Sequence, residues 1–137
     1  MPSDIPNGVG PHEFRELELM LAGIKPLAMF FDVIPPTIEL PEAEFEPSLK
    51  SGRIVLREEV YLRPEESEPP LRYLYYALAE EEHRIERLHQ LNRELIETAR
   101  QTRPEDHILT GQLLGYEEWE ISVFLKWLIE RSNTTDQ

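Results

Sequence analysis

The sequence predicts an α+β fold, in which a small three-stranded, largely antiparallel sheet carries helices on one face and the C-terminal half is mostly helical. Two segments with strand character, residues 53–62 and 71–78, follow one another across a proline-rich connector. A third, apolar segment precedes them at 26–33. The long helical repeats come after residue 79, and this separation of strands from helices favours α+β over a doubly wound sheet.

The first predicted helix covers residues 12–22, where Phe14, Leu17 and Leu21 recur at helical spacing. Gly23 then supplies a helix stop. Residues 1–11 contain neither a basic run nor an apolar run. They are therefore predicted to be a flexible tail without a secretory signal.

The first predicted strand is the apolar run at 26–33, which lies between Lys25 and two consecutive prolines. A short apolar run between breakers is typical of a strand buried on both faces, so this strand is predicted to be central. Residues 34–52 hold four proline and four glutamate residues. They are predicted to be a loop with at most a short helical turn around Phe45 and Leu49.

Residues 53–62 alternate in polarity, which is the pattern of a half-buried strand. The apolar face carries Ile54, Leu56, Val60 and Leu62, and the mixed face carries Val55, Arg57, Glu59 and Tyr61. Residues 71–78 are rich in aromatic and branched side chains, which favours a further strand. The two segments are predicted to pair antiparallel.

Three helices are predicted after the strands. The clearest covers residues 80–101, where the apolar side chains fall on one arc: Ile85, Leu88, Leu91, Leu95, Ile96 and Ala99. A short helix is predicted from Pro104 to a stop at Gly115. The last helix covers residues 117–129, and its apolar arc is unusually wide.

Composition limits the class of protein. A chain of 137 residues with 40% hydrophobic residues is expected to form one folded domain, here over 12–131, with tails at 1–11 and 132–137. The absence of cysteine excludes disulfides, thiolate metal sites and cysteine nucleophiles. No apolar run approaches the roughly 20 residues that cross a bilayer. With an arginine-over-lysine bias typical of GC-rich bacterial genes, these features predict a cytoplasmic bacterial protein.

The net charge of −13 is unevenly placed along the chain. Residues 71–103 hold six arginines and six glutamates and are neutral, so the whole excess of negative charge lies outside them. A small domain with this charge repels nucleic acid and anionic membranes and attracts basic surfaces. The alternative is that the charge serves only solubility.

Five aromatic residues are the candidate interface: Trp119, Tyr61, Tyr73, Tyr75 and Tyr76. Alternation puts Tyr73 and Tyr75 on one face of their strand and Tyr76 on the other. A sheet with one helical layer leaves a face open, and tyrosine and tryptophan are enriched in interface hot spots. The alternative is that helices of the same chain cover the tyrosines.

Four polar residues are candidates for a pocket between the sheet and the 80–101 helix: Asp32, Arg84, Asn92 and Glu120. Asp32 ends the first strand, and the other three fall within apolar arcs of helices. Each of three residues also has a structural interpretation. Asp32 can cap a turn, Glu120 suits the first turn of a helix, and Arg84 can pair with an acid such as Glu81.

The only metal-like spacing is the E-x-x-H pair of Glu86 and His89. Di-iron sites need two such pairs and two further glutamates, so one pair is insufficient. The chain also lacks a nucleophile elbow and a phosphate-binding glycine loop. The sequence therefore predicts no catalytic residue, no cofactor and no metal.

The leading functional hypothesis is a non-enzymatic protein-interaction module, of the inhibitor, immunity-type or adaptor class, that binds a partner with a basic surface. The alternative is a small ligand-binding domain or enzyme with its pocket between the sheet and the 80–101 helix. The apolar arc of residues 117–129 is also compatible with a homodimer.

Overall fold

The computed structural model describes residues 15–135, with side chains up to residue 131. The elements in chain order are α1 (Glu16–Leu21), β1 (Leu27–Val33), α2 (Glu42–Ser51), β2 (Ile54–Tyr61), β3 (Leu71–Leu78), a 3₁₀ turn (Ala79–Glu81), α3 (His83–Glu97), α4 (Pro104–Leu114) and α5 (Glu118–Thr135). The predicted α+β class and helical C-terminal half are confirmed. The predicted tail at 1–11 lies outside the described residues, and α5 continues into the segment predicted as the C-terminal tail.

The sheet has three strands in the order β1–β3–β2, and both pairs are antiparallel. The predicted pairing of the second and third strands is confirmed, with Leu56 opposite Tyr76 and Val60 opposite Arg72. Both β1 and β2 are therefore edge strands of this sheet, and β3 is bonded on both sides.

The prediction that the first strand is central is wrong, because β3 lies between the other two. Residues 73–78 of β3 are buried without a break, which is the burial pattern of a central strand. β1 is apolar for another reason. Helices cover Leu27 and Ala28 from opposite faces, whereas Phe31 near the end of the strand is 49% exposed.

Helices cover both faces of the sheet, so the prediction of a single helical face is also wrong. The first face packs against α3, and its buried core consists of Leu27, Tyr61, Tyr73, Tyr75, Ala77, Ile85, Leu88 and Leu91. The second face packs against α1 and α2, and its buried core consists of Met20, Ala28, Phe45, Ile54, Leu74, Tyr76 and Leu78. The second layer is hard to predict because α2 forms where the sequence predicts a loop.

α2 forms in spite of Pro47, which lies inside it and cannot donate a helical hydrogen bond. Tertiary packing offsets this cost. The ring of Phe45 is 1% exposed and stacks on Tyr76 with ring centroids 3.9 Å apart. Gly52 then ends the helix in the left-handed conformation with φ of 80°.

α3 is shorter than the predicted helix over 80–101. A 3₁₀ turn replaces its start, and the helix ends at Glu97. Ala99 follows with φ of 52°, a left-handed conformation that stops the helix before the predicted end. The predicted apolar arc is confirmed in the helix itself, where Ile85, Leu88 and Leu91 are buried.

Three contacts hold the C-terminal end of α4, which immediately precedes α5. Lys25 Nζ donates to the carbonyl of Leu114 over 2.7 Å, and Arg84 donates to the carbonyls of the two preceding residues. Such cations satisfy carbonyls that lack a helical partner. Gly115 has φ of 87° and lies so close to Pro26 that an added Cβ would be 2.4 Å from the proline Cδ.

We expect Gly115→Ala to destabilise the protein more than Gly52→Ala does. Both glycines have positive φ, so both substitutions carry a backbone cost of about 1 kcal/mol. Only Gly115 would also place its new methyl group against Pro26, which adds about 1–3 kcal/mol. Urea unfolding of the two variants measures the difference, and equal losses would contradict the close contact.

Because Lys25 is buried, we expect the free energy of unfolding to rise with pH. Burial lowers its pKa from 10.5 to about 8, and the carboxylates of Glu16 and Glu120 oppose this only in part. Between these two pKa values the unfolded chain binds a proton that the folded chain does not, so the free energy of unfolding increases with pH there. Relative to Lys25→Met, the wild type should gain about 2–3 kcal/mol between pH 8 and 10.5.

Unfolding should be measured for wild type and Lys25→Met over this pH range, because tyrosine ionisation then cancels in the difference. Below pH 7 the two profiles should run parallel. A difference that does not change from pH 8 to 10.5 would contradict the buried position of the ammonium group.

Candidate interaction surfaces

The four tyrosines of the predicted interface are core residues: Tyr61, Tyr73, Tyr75 and Tyr76 are each 7% exposed or less. Helices cover the tyrosines on both faces of the sheet. This corrects the expectation of an exposed tyrosine cluster. Trp119 of α5 is 52% exposed and remains at the surface.

The space between the sheet and α3 holds a buried chain of hydrogen bonds. Asn92 Nδ2 donates to the Tyr75 hydroxyl over 2.9 Å, and the Tyr75 and Tyr61 hydroxyl oxygens are 2.6 Å apart. The Tyr61 hydroxyl lies 2.7 Å from Nδ1 of His89. Because an amide nitrogen only donates, the direction that gives every donor an acceptor runs from Asn92 through Tyr75 and Tyr61 to Nδ1. It leaves the ring proton of His89 on Nε2.

Burial keeps these phenols protonated. It is the largest cause that raises the pKa of Tyr61 and of Tyr75, and it raises the pKa of Tyr73 to about 12. Among the described residues, every buried side-chain nitrogen and oxygen has a hydrogen-bond partner. The chain of hydrogen bonds is therefore a closed structural network, in which the groups satisfy one another.

The two residues of the E-x-x-H pair lie in different environments, Glu86 at the surface and His89 in the buried network. Glu86 Oε1 accepts a hydrogen bond from Arg57 over 2.6 Å at the rim of α3, whereas His89 is 7% exposed. Of the four residues in the hydrogen-bonded chain, only Asn92 is signalled by the sequence, because it is a polar residue on the apolar arc of α3. Tyr61 gives no such signal, because it alternates with charged residues along β2.

Asp32 caps the turn after β1. Its carboxylate accepts hydrogen bonds from the backbone N–H groups of Val33, Thr37 and Ile38 over 2.6–2.9 Å. These hydrogen bonds lower the pKa of Asp32 to about 2. The N–H of Ile38 has the largest effect, followed by the groups of Thr37 and the N–H of Val33. This is the structural interpretation that the sequence allowed.

The remaining pocket candidates form structural contacts at separate places in the fold. Arg84 pairs with Glu81 over 2.7 Å and caps the end of α4. Glu120 accepts a hydrogen bond from the backbone N–H of Glu117 over 2.8 Å at the start of α5. Asn92 belongs to the buried chain of hydrogen bonds with Tyr75, Tyr61 and His89. The structure therefore does not bring the four candidates together in one cavity.

Two surface concavities lie on either side of α3. One of about 390 Å³ lies between α3 and α4 over the Arg100–Asp106 ion pair, and the other of about 360 Å³ lies between α3 and Arg57 of β2. Neither is lined by a candidate pocket residue. Within the described part of the chain, no group of three or more carboxylate or imidazole side chains could hold a metal ion.

β2 turns its mixed face towards α3 and most of its apolar face towards solvent. Arg57 bonds Glu59 over 2.6 Å on the α3 side. On the other side only Ile54 is buried, whereas Leu56 is 39% exposed and Val60 is 48% exposed. A half-buried strand ordinarily turns its apolar side chains inward. In β2, Leu56 and Val60 point to the side on which α2 lies, but only Ile54 is buried there, in the core that contains Phe45.

Carboxylates surround the exposed part of β2. Arg72 binds Glu58 and Glu42, each at 2.9 Å. Burial, and then the charge of Glu42, raise the pKa of Tyr76 to about 12, with smaller contributions from Glu46 and Glu58. Glu46 follows Glu42 by four residues, so the two lie on the same side of α2. We call this region the β2–α2 surface, and it consists of Glu42, Glu46, Leu56, Glu58 and Val60.

Comparison of the chain with protein-family models, with curated proteins and with solved structures found no match. Among residues 15–135, no helix combines the length and apolar character that crossing a bilayer requires. The function must therefore be inferred from the chain's own residues.

We expect Tyr61→Phe to lower the free energy of unfolding by about 1–3 kcal/mol, because it leaves the buried Tyr75 hydroxyl and His89 Nδ1 without their partner. Tyr73→Phe is the matched control. It removes a hydroxyl from the same core that is not a member of the network, so its loss should be clearly smaller. Chemical denaturation measures both, and equal losses would contradict the network.

Proposed function

We propose that the protein is a non-enzymatic interaction module that binds a basic protein partner through the β2–α2 surface. The observation that carries the proposal is the orientation of β2, which leaves Leu56 and Val60 in solvent on an otherwise amphipathic strand. Leu56 and Val60 lie on one face of β2 on either side of Glu58, and exposed apolar side chains rimmed by polar groups are typical of interaction sites. Their burial by a partner would supply binding energy that folding leaves unused.

The charge of the β2–α2 surface supports a basic partner. Glu58 lies between Leu56 and Val60 on the same face of the strand. Glu42 of α2 binds Arg72, which is opposite Val60, and Glu46 lies one turn after Glu42. Arg72 offsets only part of their charge. A partner that alternates lysine or arginine with apolar side chains fits this pattern, whereas nucleic acid and anionic membranes are repelled.

An inhibitor, immunity-type factor or adaptor suits this surface, since none of these roles needs a catalytic group. The ligand-binding alternative has less support. A ligand between the sheet and α3 would have to displace Tyr61, Tyr75, His89 and Asn92 from hydrogen bonds with one another. The cysteine-free composition supports a cytoplasmic location in a bacterial cell.

The test is affinity capture from the source cells with wild type and three sets of variants. The first set, Leu56→Ser with Val60→Ser, removes the apolar contact, and the second, Glu46→Lys, reverses one charge. The control set, Ile24→Ser and Glu105→Lys, changes exposed residues elsewhere. A partner of this surface should bind at least about tenfold more weakly to the first set and to Glu46→Lys, and should bind the controls as it binds wild type.

Capture alone does not support the proposal, because only dependence on the β2–α2 surface distinguishes it. Binding should also weaken at high salt, since the carboxylates contribute to it. A partner retained equally by all variants, no retained partner, or a bound small molecule in the intact mass spectrum would each contradict the proposed function.

A further inference from the structure

α5 packs on α4 along one side and leaves another apolar side uncovered by α4. At the crossing the helices approach so closely that a Cβ on Gly111 would lie 2.8 Å from Ile121 Cγ1. Phe124 meets His107 of α4 edge-on with ring centroids 5.9 Å apart. Ile121 and Phe124 thus define the α4-facing side of α5.

Trp119, Val123 and Trp127 form a row on another side of α5, which we call the α5 row. They are four residues apart, so they follow one another along the helix. Residues two apart, such as Trp119 and Ile121, lie on roughly opposite sides of a helix. Trp119 is 52% exposed and Val123 is 36% exposed. Trp127 is half-buried, because its ring packs on Phe124 at 5.6 Å between centroids and the Arg131 guanidinium lies 5.0 Å from it. The indole N–H of Trp119 donates to Glu117 over 2.6 Å, so its polar group is satisfied beside the helix.

The α5 row is symmetric about Val123, with one tryptophan four residues before it and one four residues after it. If a second copy packs antiparallel about a two-fold axis at Val123, valine meets valine and each Trp119 meets a Trp127. Large aromatic pairs of this kind supply much of the energy of small interfaces. The same patch on both copies is the requirement for an isologous dimer.

The polar residues beside the α5 row favour the same arrangement. Glu118, Ser122 and Lys126 each precede a member of the row, so they form a parallel row at its flank. In the antiparallel dimer Lys126 of one copy lies beside Glu118 of the other, and this pair occurs twice. In a parallel two-fold dimer the two flanking rows would lie on opposite sides of the interface, so neither Glu118 would meet a Lys126.

From this geometry we propose that the α5 row binds a second copy of the same chain in an antiparallel, two-fold dimer. The local charge fits a second copy better than a basic partner. Residues 118–131 carry three acidic and two basic side chains, whereas the whole chain has a net charge of −13. The dimer does not depend on the proposed function, since the β2–α2 surface lies on other elements.

Sedimentation velocity over a range of concentrations tests the dimer. The wild type should sediment with twice the monomer mass at the higher concentrations. Val123→Glu puts two carboxylates face to face on the axis, so it should weaken association by at least tenfold. Leu62→Glu is the control, because it adds the same charge at a residue that is 65% exposed and follows β2 rather than lying on α5. Circular dichroism should show the same helix content for both variants.

A charge exchange tests the antiparallel direction. Lys126→Glu alone should weaken the dimer several-fold, and Lys126→Glu with Glu118→Lys should restore it, because the pairs then reform with opposite sign. A wild type that is monomeric at every concentration would overturn the proposal. So would a dimer that Val123→Glu leaves intact, or one that the double exchange does not restore.

Discussion

The Tyr75 hydroxyl is the point at which β2, β3 and α3 are held together. It accepts a hydrogen bond from Asn92 of α3 and shares one with Tyr61 of β2, whose hydroxyl in turn meets His89 of α3. All four side chains are at most 8% exposed, so a broken link would leave a buried polar group without a partner. The network therefore fixes the register of β2 on β3 and the rotation of α3 together.

This constraint determines which face of β2 meets solvent. Since Tyr61 must point towards α3, alternation sends Arg57 and Glu59 to the same side, where the charges pair with one another and with Glu86 at the rim. Leu56 and Val60 then point the other way and are exposed to solvent. The exposed apolar strip is thus a consequence of the buried network, and the carboxylates of α2 give it an acidic border.

The sequence predicts the three strands, their largely antiparallel pairing and the helical C-terminal half. Alternation and helical spacing are local patterns, so they can be recognised without the rest of the fold. The sequence does not predict which strand is central, because apolar runs look alike whether a strand is bonded on one side or on two. α2 is missed for a related reason: Pro47 argues against a helix locally, and only the packing of Phe45 on Tyr76 overrides it. Trp119, a candidate interface residue, lies at the surface. The tyrosines do not, since their exposure depends on a helical layer that the sequence does not predict.

The orientation of β2 can be measured directly, because the chain contains no cysteine. Single cysteines at Ile54, Leu56, Val60 and Leu62 can each be labelled with a thiol reagent in the folded protein, and their rates compared. We expect fast labelling at positions 56 and 60, close to the rate at 62, and slow labelling at 54, because Ile54 is 1% exposed. Labelling at 56 and 60 as slow as at 54 would show that the apolar face is buried and would contradict this orientation of β2.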